Sequence, residues 1–191
     1  MCYNQPMTLE ELNRLVEQAR FIDNSLVNDY KEFLYQNYLF TVHSQKQNPD
    51  VLFSEDVIDM EEYGKYLIQQ MRYRNHVESF SDMVNSLLRI KAKKAPEIYR
   101  AAGIDARHFS KIISNRGYKP TKGTVFALAI AFNLSIAGTE NLLMSAGYTF
   151  DRSNLFDMSI RFFIERSCYD RKTIDCFMSE FNLPLLPQNW S

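Results

Sequence analysis

The stretch APEIYRAAGIDARHFSKIISNRGYKP, residues 95–120, constrains this chain more than any other. Ile98 and Ala102 fall on one side of a short helical run, and Pro96 is tolerated in its first turn. Ala102 is small enough for two helices to cross closely. Gly103 ends the run and supplies the backbone freedom of a tight turn. Ile104 is placed to plug the angle between two helices, and Asp105 to cap the second. Phe109, Ile112 and Ile113 then give that second helix one buried face. Ala106, Arg107, His108, Ser110, Lys111, Ser114 and Asn115 remain outside as a polar, cationic face.

The rest of the chain follows helical spacing, with apolar residues at i, i+3, i+4 and i+7. Helices are expected near 8–22, 26–44, 57–73, 79–92, 96–102, 105–115, 121–132, 136–146, 153–166 and 170–182. Ser79, Ser135, Ser153 and Asp170 stand where caps are needed, Thr121 where a helix starts, and Gly147 where one closes. Val125 to Phe132 is almost wholly apolar, which implies burial on most faces. No alternating strand pattern occurs, so the predicted fold class is all-α. Three regions are expected: 1–78, an amino-terminal helical region; 79–148; and 149–191, a carboxy-terminal helical extension packed on the middle one.

Charge separates the same regions. Residues 1–78 hold seven Lys/Arg against thirteen Asp/Glu, and residues 79–125 hold ten against three. The net charge of the whole is only −1, so a locally basic segment sits inside a nearly neutral chain. Such a segment is an electrostatic footprint for a polyanion, or else a solvated basic face. Apolar residues make up 46% of the 191, which excludes a disordered chain. Cys2, Cys168 and Cys176 form no CxxC pair, so neither a disulfide scaffold nor a zinc site is expected. No apolar run is long enough for a membrane span, and the amino terminus does not read as a secretory signal, so a cytoplasmic location is expected.

Within this frame residues 79–148 resemble a Cro/lambda-repressor-like (xenobiotic-response-element type) helix-turn-helix domain of five helices. The likeness is carried by IYRAAGIDARHFSKIISN, followed by KPTKGTVFALAIAFNLS and AGY. More closely, residues 79–186 resemble a bacterial module found at the carboxy-terminal end of multi-domain proteins, through the added FDMSIRFFIE and LPLL. The chain departs from the pattern at Ala95-Pro96, Tyr99 and Gly138, and Arg116-Gly117-Tyr118 lengthens the loop after the second helix of the motif.

The resemblance implies a DNA-binding protein, a transcriptional regulator of a bacterial mobile-element or defence locus, with helix 105–115 reading the major groove. Arg107 would reach a guanine edge, Lys111 a guanine or a phosphate, and His108 a base or phosphate. Ser110, Ser114 and Asn115 lie on the same face, while Arg116, Lys119 and Lys122 flank it where phosphates run. Double-stranded DNA is the implied partner, and a homodimer the implied state. Lys91, Lys93 and Lys94 form a further basic run whose position at a helix end already explains it.

The alternative is a protein–protein interaction module that uses the helix-turn-helix only as scaffold, with a partner on residues 1–78. Tyr30, Phe33, Tyr35, Tyr38 and Phe40 could stack bases, but at helical spacing they read as core or as a partner face. His43 and His76 lack partners at metal-ligand spacing. No nucleophile elbow, P-loop or HExxH motif is present, so neither an enzyme nor a cofactor is expected.

Overall fold

The structure, a computed structural model, describes Arg14 and residues 24–46 and 78–188. Its helices are α1 (Asn24–Lys46), α2 (Phe80–Ile90), α3 (Ala95–Ala101), α4 (Ala106–Ser114), α5 (Lys122–Ala131), α6 (Ile136–Ser145), α7 (Leu155–Glu165) and α8 (Arg171–Glu180). No strand occurs among the described residues, so the all-α expectation holds there. The helices expected at 8–22, Arg14 aside, and at 57–73 lie outside the described residues.

Local chemistry sets most of the boundaries. The side chains of Ser79, Asp105, Thr121, Ser135 and Asp170 each accept a backbone N–H of the first turn they cap. The expected cap at Ser153 is displaced by one residue. Asn154 Oδ1 accepts the Asp157 amide at 3.2 Å, because the Ser153 hydroxyl is taken 2.6 Å away by Asp151 Oδ1. At the other ends α3 and α6 close through Gly103 (φ 65°) and Gly147 (φ 80°). There the amides of Ile104 and Tyr148 reach back to the carbonyls of Tyr99 and Leu143. Ala92, Asn133, Ser167 and Asn182 close α2, α5, α7 and α8 in the same left-handed conformation without being glycine.

α5 is the axis of the middle region: Thr124 through Ile130 are all buried. α3 and α6 pack against α5, α2 against α6, and α4 against α2 and α3. α7 joins this group through α6 and α5. The Phe126 ring meets Phe150 at 5.4 Å and Phe156 at 5.8 Å, and the Tyr169 hydroxyl donates to Leu134 O at 2.8 Å.

α1 seats on α7 and α8. Val27, Tyr30, Phe33 and Leu34 are buried there. The Tyr30 ring stands edge-on to Phe162, Phe177 and Phe181, with centroids 4.9, 4.7 and 5.4 Å away. Tyr30 and Phe33 are therefore core rather than a stacking surface. The side chains of Tyr35, Tyr38 and Phe40 lie outside the described set. Burying each large apolar side chain is worth roughly 1.5–3 kcal/mol, so this aromatic cluster is what holds α1 in place.

Candidate nucleic-acid interface

α4 is sharply two-sided. Phe109 and Ile112 are buried, and the Phe109 ring lies 5.9 Å from that of Tyr99 on α3. Ala102 is fully buried at the crossing and Ile104 nearly so, as the turn chemistry requires. Asp105 Oδ1 accepts the His108 amide at 2.7 Å; that bond is the main reason its carboxyl titrates below the usual range.

The nine residues singled out in the sequence behave differently. Arg107, Ser110 and Lys111 are exposed on the outer face of α4, and Lys119 is exposed beyond its carboxy-terminal end. Among the described residues no carboxylate pairs with Arg107, Lys111 or Lys119. Arg107 and Lys111 project from a helix whose opposite face is fixed in the core, and Lys119 from the loop that follows it.

The others are partly engaged by their own chain. Ser114 Oγ donates to Ser110 O at 2.7 Å, and the residue remains exposed. Asn115 Oδ1 accepts the Gly117 amide at 2.9 Å and so shapes the loop. His108 Nε2 lies 2.5 Å from the Tyr118 hydroxyl. Arg116 Nε donates to Asp82 Oδ1 at 3.1 Å, although its side chain remains 79% exposed. Asp82 titrates below its ordinary range, chiefly because the Ser79 hydroxyl bonds to it, with Arg116 adding to the effect.

Lys122 points elsewhere. Its ammonium bonds Asp157 Oδ2, which also accepts the Asp151 amide at 2.7 Å. The Asp157 side chain is 2% exposed, and burial pushes its carboxyl up despite the cation. The structure therefore carries Arg107, Ser110, Lys111 and Ser114 on α4, with Asn115 as its carboxy-terminal cap. His108 is turned to Tyr118, Arg116 and Lys119 lie in the loop after α4, and Lys122 is committed to the α5–α7 contact.

Two residues here escape sequence reasoning. Tyr118 reads as loop in the sequence, and its pairing with His108 has no periodic signal. Asp82 reads as a first-turn acid, yet it also holds Arg116 from 34 positions away. No group of three or more His, Cys, Asp or Glu that could hold a metal occurs among the described residues. Nor is any described helix long and apolar enough to cross a membrane. Comparison with known proteins adds nothing to the geometry: no family model, curated protein or solved structure matches this chain.

Proposed function

We propose that this chain binds double-stranded DNA through α4 and acts as a transcriptional regulator of a bacterial mobile-element or defence locus. The observation that carries the reading is that Arg107 and Lys111 are exposed one turn apart on the outer face of a helix anchored in the core, with no carboxylate partner among the described residues, and that Lys119 is likewise unpaired in the loop beyond. The proposed mechanism is docking. The basic segment draws the duplex in electrostatically, Arg107 and Lys111 bond base edges in the major groove, and Arg116 and Lys119 neutralise phosphates. Ser110, Ser114 and Asn115 supply short polar contacts between them. The helix-turn-helix resemblance supports this placement and adds a twofold dimer, in which two copies address two half-sites.

Selection of bound fragments from random duplex DNA at physiological salt tests the reading, with enrichment of a motif as the expected result. Neutralising about two phosphates per copy, through Arg116 and Lys119, should also weaken binding with salt at a log–log slope near −1.8 per copy. A second reading, an interaction module, is favoured by the in-chain engagement of His108, Arg116 and Lys122. It predicts no enrichment and only a shallow salt dependence.

A further inference from the structure

The carboxy-terminal segment after α8 runs back over the turn between α3 and α4. Leu186 is buried, and the carbonyl oxygen of Pro187 stands over Gly103. A Cβ on Gly103 would lie 2.2 Å from that oxygen, so the close approach and the positive φ both require glycine there. Pro187 also reaches the start of α5, with its Cδ 3.9 Å from where a Cβ on Gly123 would be.

One guanidinium fastens these pieces. Arg171, the first residue of α8, is 16% exposed. Its Nε donates to Asp175 Oδ2 at 2.8 Å, its Nη1 to Ala102 O at 3.2 Å and its Nη2 to Pro187 O at 2.7 Å. Ala102 caps the carboxy-terminal end of α3, and its own amide is already used within that turn. The planar fork of arginine meets three acceptors in fixed directions; a lysine ammonium would not hold the same geometry. Asp175 orients the fork, and its second oxygen is buried with no partner among the described residues.

We propose that Arg171 is a positioning residue for α4: it locks the α3–α4 turn to the carboxy-terminal segment, so the presentation of the DNA-reading face is set from the far end of the chain. This rests on the DNA-binding reading above. The turn is where the angle of α4 is decided, because Gly103, Ile104 and Asp105 alone link Ala102 to the first residue of α4. A clamp on Ala102 O and on the backbone above Gly103 therefore acts on that angle. Arg171 itself belongs to α8, so its part is exerted through the turn.

The test uses the full chain and its Arg171→Gln and Arg171→Lys variants, with amide exchange and titration of the duplex enriched by selection. Exchange at Gly103 and Ile104 should accelerate about tenfold or more in Arg171→Gln while Val84 and Leu128 stay protected. Duplex affinity should fall with an unchanged salt slope, and Arg171→Lys should restore little of either. A slope reduced by about one would mean a direct phosphate contact and would overturn the proposal. So would faster exchange at the turn with unchanged affinity. Should the variants not fold, the unaltered chain still decides: by linkage, duplex binding must slow exchange of the Arg171 Nε–H, and no slowing refutes the coupling. Failure of the unaltered chain to enrich any duplex would sink the DNA reading instead, and the exchange data would still report whether the clamp exists.

Discussion

The hydroxyl of Tyr30 lies 2.5 Å from that of Ser159, across 129 positions of sequence. Tyr30 is fully buried, so the bond satisfies a phenol that burial pushes well above its ordinary titration range. Ser159 also donates to Leu155 O at 2.8 Å, so its hydroxyl keeps a partner if the phenol is removed. Tyr30→Phe is thus expected to cost only about 1 kcal/mol. Tyr30→Ala, which empties the seat among Phe162, Phe177 and Phe181, should cost roughly 3–5 kcal/mol. Urea unfolding curves separate the two. A Tyr30→Ala cost no larger than that of Tyr30→Phe would mean that α1 is not part of the folded unit.

Ala92 closes α2 at φ 50°, exposed to solvent, in a conformation that crowds a Cβ. A non-glycine residue there costs roughly 1–2 kcal/mol, while glycine gives back some of that gain to unfolded-state entropy. Ala92→Gly should therefore stabilise the chain by about 0.5–1 kcal/mol, read as a raised thermal midpoint. A lowered midpoint would refute the account of this helix end.

The legibility of the fold follows how local each cause is. Caps and glycine closures depend on neighbouring residues, so Ser79, Asp105, Thr121, Ser135, Asp170, Gly103 and Gly147 are readable directly. Asn154 is not, because Asp151 competes for the Ser153 hydroxyl, a three-way contest that one cap rule does not contain. The packing of α1 is legible only as an apolar stripe in search of cover; that α7 and α8 supply the cover depends on residues far apart in sequence. The outer face of α4 follows from periodicity, whereas the roles of Tyr118, Asp82 and Asp157 rest on loop paths and on partners many positions away.

Arg107 and Lys111 are exposed and carry no ion pair among the described residues, so their removal should leave the fold intact. Arg107→Ala with Lys111→Ala is expected to keep the wild-type unfolding midpoint. Its duplex affinity should drop by roughly 1–3 kcal/mol for each base-edge bond removed. Titration of the enriched duplex, alongside a thermal melt, checks both halves. Unchanged affinity and unchanged sequence preference would remove α4 from the interface.

Lys122 offers the complementary case, a cation next to the basic face whose ammonium serves the fold. Lys122→Met would leave the Asp157 carboxylate buried with the Asp151 amide as its remaining donor. Lys122 is 26% exposed, so the cost at neutral pH should be about 2–3 kcal/mol, below that of breaking a fully buried pair. The pH dependence has a definite sign. Burial already holds the Asp157 carboxyl above its unfolded value, and removing the cation raises it further. A raised folded pKa means that the folded state takes up the proton first. The contribution is therefore most favourable below the unfolded carboxylate value and declines as pH rises through the folded one. The Lys122→Met deficit should accordingly shrink as pH falls from neutral into the mildly acidic range. Pairing the change with Asp157→Asn should recover most of the loss at neutral pH. Denaturant titrations of both variants across that range measure it. The DNA readout then distinguishes the two roles open to Lys122: a residue committed to Asp157 leaves the salt slope of duplex binding unchanged, while one that neutralises a phosphate lowers it by about one. A lowered slope with no loss of stability would return Lys122 to the interface.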